Sequence, residues 1–241
     1  MNQLSQLEQQ SQLRRHPKIK AVIFDLDGTI IDSEPNYYEA DCKVFAEHGF
    51  HGFDEKMKQQ YVGIGSKEMM EELHRKYGIN APVDLLVTKK NQYYLEFARQ
   101  NTVVFPEMRQ FLEMLRRHPY RLALASGSSL EIIDTIFTVT DLEGLFEVVV
   151  SAESVPQGKP APDIFLAAAA GLGLPPAQCL VVEDSQYGVE AAKKAGMYCI
   201  AIPGIVTPPL PDSYATADLL IPGGMADFSA AAAYDWLQNL R

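Results

Sequence analysis

An apolar segment of this chain, residues 20–24, leads directly into two aspartates that are separated by a single residue. In a β-strand, residues i and i+2 share a face, so the carboxylates of Asp25 and Asp27 are expected to project together where the strand ends. Two carboxylates that close repel each other unless a cation lies between them or one of them is protonated. Gly28 and Thr29 follow, and both suit a tight turn in which the backbone approaches a ligand closely. The pattern therefore predicts a site for Mg²⁺ and phosphate chemistry.

The composition restricts the partners that such a site can have. The 241 residues carry a formal net charge of −10, which is the wrong sign for binding nucleic acid or an anionic membrane. We therefore expect neither of them as a partner. An anionic substrate would need a local cation and a few well-placed lysines. Nothing in the sequence predicts a dimer, so a monomer is expected.

The N-terminal segment, residues 1–17, is polar and glutamine-rich and lacks the apolar core of a signal peptide. We predict that it is a flexible extension. No apolar run in the sequence approaches the length that a membrane span requires. The three cysteines, Cys42, Cys179 and Cys199, are too few and too far apart for a zinc site or a disulfide framework. A reducing cytoplasm is therefore the expected compartment.

Short β-branched segments alternate with helical patterns along most of the chain. This alternation predicts βαβ units with right-handed crossovers, and hence an α/β fold with a Rossmann-like, doubly wound parallel sheet. The predicted strands are 20–24, 121–125, 147–150, 179–182, 198–202 and 218–221. The predicted helices of this part are 107–117, 130–137, 163–171, 188–195 and 228–240.

Residues 34–104 interrupt the alternation, because the interval between the first two predicted strands is far longer than one crossover helix needs. The helical patterns in this interval are 37–47, 54–62, 66–77 and 83–100. We predict an all-helical cap domain at 34–104, inserted into a core domain formed by 18–33 and 105–241. Because the insert begins beside the two aspartates, a lid over the site is favoured over a purely structural role.

Polar side chains follow several of the predicted strands. Ligands of open α/β sheets bind at the carboxyl ends of the strands, so these side chains are expected at one edge. Ser126 and Gly127 follow the second strand and offer a hydroxyl and backbone N–H groups. Lys159, framed by prolines, follows the third strand, and Glu183 and Asp184 follow the fourth. Each feature alone fits a turn, a solvated lysine or a helix cap. Their conjunction with the aspartate pair favours one active site.

These residues resemble the four motifs of the haloacid dehalogenase superfamily, in particular its capped phosphatase and β-phosphoglucomutase-like branch. The matching segments are 24–29, Ser126, 158–163 and 183–192, and the resemblance extends over about residues 18–222. It implies a Mg²⁺-dependent phosphatase that hydrolyses small phosphorylated metabolites through an aspartyl-phosphate intermediate. The implied substrates are phosphate monoesters of sugars or polyols.

The resemblance also implies the catalytic roles. Asp25 would attack phosphorus as the nucleophile. Asp27 would protonate the leaving oxygen and then take a proton from the attacking water. Lys159 would neutralise charge on the nucleophile and on the transferring group.

Two further groups of residues are implied by the same resemblance. The phosphate oxygens would be held by Lys159, Ser126, Gly127 and the N–H groups of the turn from Leu26 to Gly28. The implied Mg²⁺ ligands are the carboxylates of Asp25 and Asp184 and the backbone carbonyl of Asp27, with Glu183 as a ligand or as a partner of the ligands.

A sugar phosphomutase of the β-phosphoglucomutase type is the alternative function. Such mutases grip a second phosphate with a cap arginine, whereas this chain has Ser66 there, followed by Lys67. Tyr37 stands where such mutases have a histidine, and residues 129–130 replace a lysine–asparagine pair. These departures favour hydrolysis. Tyr37, Ser66 and Lys67 are the cap residues predicted to contact the substrate.

Two other classes fit less well. Dehalogenases of the superfamily do not normally carry an acid at the position of Asp27. Response-regulator receivers also accept phosphate on an aspartate at a strand end, but they are much shorter and lack the insert. The expected partner is therefore a small phosphomonoester, and the expected cofactor is Mg²⁺.

Overall fold

A computed structural model describes residues 19–61, 66–204 and 207–240. Its centre is a parallel sheet of six strands in the order β5-β4-β1-β6-β7-β8. These strands are β1 (Ala21–Phe24), β4 (Arg121–Ser126), β5 (Val148–Ser151), β6 (Cys179–Glu183), β7 (Tyr198–Ala201) and β8 (Leu219–Leu220). Because β1 is central and pairs with both β4 and β6, its carboxyl end lies in the middle of one edge of the sheet.

Helices cover both faces of this sheet, as buried parallel strands require. Strand residues such as Val22 and Phe24 pack towards one face, and Ala21 and Ile23 pack towards the other. The helices on the first face are α5 (Pro106–Arg116), α6 (Leu130–Thr140) and α9 (Ala230–Asn239). The helices on the second face are α7 (Asp163–Gly171) and α8 (Gln186–Lys194).

The interval between β1 and β4 is mainly helical. It contains α1 (Glu34–Glu47), α2 (Glu55–Gln59), α3 (Ser66–Tyr77) and α4 (Val83–Asn101). These helices enclose a separate hydrophobic cluster that includes Phe45, Met70 and Leu86. A small antiparallel ribbon of β2 (Ile31–Asp32) and β3 (Val103–Val104) joins the two ends of the interval. Both connections to the insert therefore lie side by side.

The C-terminal half of α4 packs against the main body of the protein rather than against the other inserted helices alone. Tyr94, Leu95 and Ala98 belong to the hydrophobic cluster on the first face of the sheet. The side chain of Tyr94 is completely buried. This helix consequently connects the interior of the insert with the region where β1 ends.

The predicted α/β class, with a doubly wound parallel sheet and an inserted helical segment, is confirmed. All six predicted strands are present, and their ends agree within two residues. The ribbon of β2 and β3 was not predicted. The division at residues 34 and 104 into two domains stays a prediction, and the predicted extension at 1–17 lies outside the described residues. No helix in the described ranges is both long and apolar enough to cross a membrane.

Candidate active site

The carboxyl edge of the sheet borders a cavity of about 840 Å³. Asp25 directly follows β1, Ser126 ends β4 and Glu183 ends β6. The parallel pairing of these three strands brings their ends to the same edge. The lining combines residues from the part of the chain that forms the sheet, such as Asp25, Asp27 and Lys159, with residues of the inserted helices.

Asp25 is 5% exposed and forms an ion pair with Lys159. The Lys159 ammonium donates to its Oδ1 at 2.5 Å. Burial raises the pKa of Asp25 to about 8, because the charges of Glu183 and Asp27 add to the effect and Lys159 offsets only part of it. A carboxylate in these surroundings needs further positive charge to be an anionic nucleophile at neutral pH.

Lys159 bridges two acids. Its ammonium also donates to Oε1 of Glu183 at 2.5 Å. Burial alone would lower the pKa of Lys159, but the carboxylates of Asp25 and Glu183 outweigh this effect and hold the pKa above its ordinary value. Lys159 therefore stays protonated beside the nucleophile. The segment that carries it lies between β5 and α7, so its backbone reaches the sheet edge just before a helix begins.

Asp25, Glu183 and Asp184 form a cluster in which one carboxylate oxygen of each residue lies within 4.8 Å of the others. Burial and the neighbouring charges of Glu183 and Asp25 raise the pKa of Asp184 well above its usual range. When all three carboxyl groups are ionised, the single ammonium of Lys159 offsets only one of their three negative charges. A divalent cation with a preference for oxygen ligands fits this donor set.

Glu183 differs from the other two acids because both of its oxygens already have partners. Oε1 accepts from Lys159, and Oε2 accepts from the N–H and the hydroxyl of Ser185 at 2.7 and 3.0 Å. Asp184 accepts one weak hydrogen bond, from the Thr29 hydroxyl at 3.4 Å. Asp25 and Asp184 are therefore the better candidates for direct metal ligands, and Glu183 is better suited to hold Lys159 and the loop.

Because Gly28 has no side chain, the carboxylate of Asp184 can occupy the space beside it. A Cβ atom at Gly28 would lie 2.3 Å from Oδ2 of Asp184, and the φ angle of Gly28 is +78°. The turn therefore requires a glycine for two reasons, the left-handed backbone and the close approach of the carboxylate.

We expect Gly28→Ala to weaken Mg²⁺ binding by roughly 10–100-fold, because the methyl group displaces the Asp184 carboxylate. Gly49→Ala is the matched control, since Gly49 has the same φ of +78° but nothing within 4 Å of its Cβ position. Both variants should lose about 1 kcal/mol of unfolding free energy from backbone strain. Calorimetric Mg²⁺ titration separates them. Equal Mg²⁺ affinity in the two variants would contradict this account of the turn.

The carboxylate of Asp27 faces the same cavity and is held by two hydroxyl groups. Ser128 donates to its Oδ2 at 2.7 Å, and Tyr94 donates to its Oδ1 at 3.2 Å. The Ser128 turn is itself fixed, because its carbonyl accepts from the Ser151 hydroxyl at 2.7 Å. Asp27 is thus held by neutral hydroxyl groups, whereas Asp25 is held by the charged ammonium of Lys159.

The predicted phosphate-binding residues differ in where the structure places them. Gly127 lines the cavity. Ser126 is fully buried, and its hydroxyl oxygen accepts the N–H of Ser128 at 3.0 Å, so its role at a phosphate stays a prediction. The side chain of Leu26 is also fully buried, and the role of its N–H stays a prediction. The N–H of Gly28 donates to the carbonyl of Ile31 at 2.9 Å, and its role at a phosphate stays a prediction.

The predicted substrate contacts of the insert are only partly brought to the cavity. Tyr37 lines it, but Ser66 and Lys67 do not. Lys67 lies on the surface, where its ammonium is 3.3 Å from Oδ1 of Asp84, and its contact with the substrate stays a prediction. The insert instead contributes Glu34 and Glu68 to the lining. Residues 62–65 of the segment compared with mutases lie outside the described part of the chain.

Sequence reasoning missed several residues that shape the site. Two of them are Ser128 and Tyr94, which hold Asp27. The third is Tyr214, which lines the cavity and whose hydroxyl donates a hydrogen bond to the carbonyl of Asp184 at 2.7 Å. Ser128 lies two residues after Ser126 in a hydroxyl-rich turn, which is a signal that could have found it. Tyr94 and Tyr214 are distant from the motifs in sequence and carry no comparable signal.

A buried carboxylate paired with a lysine, together with a second acid and an acidic cluster at one sheet edge, fits an enzyme of phosphoryl transfer. The family model described as "Haloacid dehalogenase-like hydrolase" matches residues 22–202. The chain belongs to this family and is a hydrolase of phosphoric monoesters.

Two relatives and one solved structure match most of the chain. The chain is 33% identical to "Phosphorylated carbohydrates phosphatase" of Thermotoga maritima over 184 residues, which cover 74% of this chain and 82% of that protein. It is 34% identical to "Beta-phosphoglucomutase" of Bacillus subtilis over 194 residues, which cover 76% and 83% respectively. The crystal structure of CbbY from Rhodobacter sphaeroides in complex with phosphate superimposes with a TM-score of 0.74 at 27% identity and covers 87% of this chain and 98% of that one.

Proposed function

We propose that this protein is a Mg²⁺-dependent phosphatase that hydrolyses phosphate monoesters of small sugars or polyols through an aspartyl-phosphate. The observation that carries the proposal is that two acids line one cavity and have different hydrogen-bond partners. Asp25 is bound to Lys159, and Asp27 is bound to the hydroxyls of Ser128 and Tyr94. The name of the Thermotoga maritima relative supports a phosphorylated carbohydrate as the substrate class.

In the proposed reaction a carboxylate oxygen of Asp25 attacks phosphorus, and the bond between phosphorus and the ester oxygen breaks. Asp27 gives its proton to the departing oxygen, so the alcohol leaves uncharged. Water then attacks phosphorus of the aspartyl-phosphate and gives a proton to Asp27. Inorganic phosphate leaves, and both carboxyl groups return to their starting states. Lys159 faces the charge that develops on the transferring group.

The carboxylates of Asp25 and Asp184 and the backbone carbonyl of Asp27 would hold the Mg²⁺ ion, while Glu183 would orient Lys159 and Ser185. The bound ion would supply positive charge to the phosphate oxygens and to the nucleophile. Burial and mutual repulsion disfavour the ionised forms of Asp25 and Asp184, as their raised pKa values indicate, and this supports the requirement for a cation.

The charges of the cavity favour hydrolysis over phosphoryl transfer between two sugar positions. Among the described residues that line it, Lys159 is the one lysine or arginine, and it lies beside the nucleophile. Two neighbouring lysines of the insert, Lys89 and Lys90, have partners elsewhere, since Lys90 pairs with Asp41 and Lys89 with Glu47. Among the described residues, the insert therefore contributes no lysine or arginine to the lining of the cavity, where a mutase must hold the second phosphate.

The test is the release of inorganic phosphate from hexose, hexitol and glycerol phosphates, with Mg²⁺ and with excess EDTA. We expect release with at least one of them, and EDTA should lower the rate by about 10²-fold or more because the metal supplies several kcal/mol to the transition state. Added Mg²⁺ should restore the rate.

Two results would contradict the proposal. The first is phosphate release that EDTA does not change. The second is conversion of β-glucose 1-phosphate into glucose 6-phosphate with little free phosphate, monitored by ³¹P NMR. This second result would establish the mutase activity that the name of the Bacillus subtilis relative suggests.

A further inference from the structure

The hydroxyl of Tyr94 reaches the active site from the inserted part of the chain. Tyr94 lies on α4, and its hydroxyl donates to Oδ1 of Asp27 at 3.2 Å. The other oxygen of Asp27 is held from the core, by Ser128 at 2.7 Å. Each oxygen of this carboxylate therefore has its own donor, and the two donors come from different parts of the fold.

The ring of Tyr94 has little freedom to move. It is fully buried, and it stacks on the ring of Tyr37 with 4.0 Å between centroids and an angle of 15° between planes. A phenol carries its proton at neutral pH, so the hydroxyl is available as a donor. A rigid ring with a fixed donor is suited to orienting the group that accepts from it.

Tyr94 is absent from the residues that line the cavity, whereas Asp27, Ser128 and Tyr37 belong to them. Its hydroxyl therefore reaches the reaction through the groups that it contacts, and among these Asp27 is the one with a proposed part in the chemistry. The direction of a general acid matters because it must lie within hydrogen-bond reach of the leaving oxygen. Hydrogen bonds to both oxygens of the carboxylate fix the torsion angles of the Asp27 side chain.

We propose that Tyr94 is a positioning residue that orients the Asp27 carboxyl group towards the leaving oxygen of the substrate. The helix of the insert thereby contributes to proton transfer as well as to covering the site. This inference rests on the proposed role of Asp27 as the general acid, and the experiment below separates a failure of the one from a failure of the other.

The test compares Tyr94→Phe with wild type on two substrates, an alkyl phosphate and p-nitrophenyl phosphate. The phenylalanine ring keeps the stacking and removes only the hydroxyl. We expect kcat/KM for the alkyl phosphate to fall by roughly 10–100-fold, as for loss of a hydrogen bond to a charged group in a transition state. The value for p-nitrophenyl phosphate should change by less than about threefold, because its leaving group needs little help from an acid.

Tyr93→Phe is the matched control, because Tyr93 is the neighbouring tyrosine on the same helix and its hydroxyl donates to Glu47 instead. This variant should match wild type on both substrates. Asp27→Asn combined with Tyr94→Phe should be no slower on the alkyl phosphate than Asp27→Asn alone, since Tyr94 acts only through Asp27.

A purely structural role for Tyr94 predicts a different result, namely equal losses on the two substrates together with a lower Tm. That result, or unchanged kinetics on both substrates, would overturn the inference if Asp27→Asn still discriminates between the substrates. If Asp27→Asn itself does not discriminate, the role of Asp27 as the acid is wrong, and the inference about Tyr94 is wrong with it.

Discussion

Replacing Asp25 by Asn is expected to reduce kcat on the order of 10⁴-fold or more, because the amide cannot attack phosphorus and no other carboxylate stands in its place. Glu183 is held by Lys159 and Ser185, and Asp27 is held by Ser128 and Tyr94. Neither of them is free to replace the nucleophile. Steady-state phosphate release with Mg²⁺ measures this loss.

The fold should survive this substitution. Asn has the size of Asp, and Lys159 keeps its second partner, Glu183, after the change. Asp134→Asn on the exposed side of α6 is the control for removing one carboxylate elsewhere, and it should retain full activity. Thermal unfolding should show that the Asp25→Asn enzyme is folded. If the folded variant retains wild-type turnover, Asp25 is not the nucleophile.

Replacing Asp27 by Asn is expected to lower kcat/KM for an alkyl phosphate by about 10²–10⁴-fold, the range for loss of a general acid. The loss for p-nitrophenyl phosphate should stay below roughly tenfold, because nitrophenolate leaves without a proton. The parameter kcat/KM is the right one, since it reports the steps up to the first irreversible event, which here is formation of the phosphoenzyme.

The comparison of two leaving groups distinguishes acid catalysis from simple damage to the site. A distorted site or a lost metal ion would slow both substrates alike, since both need the same nucleophile and cation. Mg²⁺ titration of the Asp27→Asn variant is the additional control, and its affinity should stay near that of wild type because the backbone carbonyl of residue 27 is unchanged. Equal losses on the two substrates would argue against Asp27 as the acid.

The sequence predicted the parts of this fold and site that depend on local pattern. The apolar run before Asp25 forms the central strand β1, and Glu183 lies at the end of the strand beside it. Parallel pairing then brings these acids to one edge, whatever the details of packing. Lys159 is close in space to both although it is 134 residues from Asp25 in the chain. The prediction that Lys159 lies at this edge followed from its place in the chain after the third predicted strand.

The remaining features depend on side-chain directions and on contacts between distant segments. Tyr94 is 67 residues from Asp27, and its burial depends on how α4 packs against the sheet domain. Lys67 is a long exposed side chain, and its ammonium lies near Asp84 instead of at the cavity. The strands β2 and β3 have two residues each, which is too short for any alternation to appear in the sequence.

The most direct test of the account is the capture of the aspartyl-phosphate itself. Asp27→Asn should accept a phosphoryl group from p-nitrophenyl phosphate but should lose it slowly, because the group that activates water is absent. Acid quenching during the first turnover, followed by mass spectrometry of the peptides, should then find one added phosphoryl group on Asp25, which depends on Mg²⁺. The double variant with Asp25→Asn should carry none. Complete turnover with no phosphorylated protein at any time, or a phosphoryl group on another residue, would contradict the account.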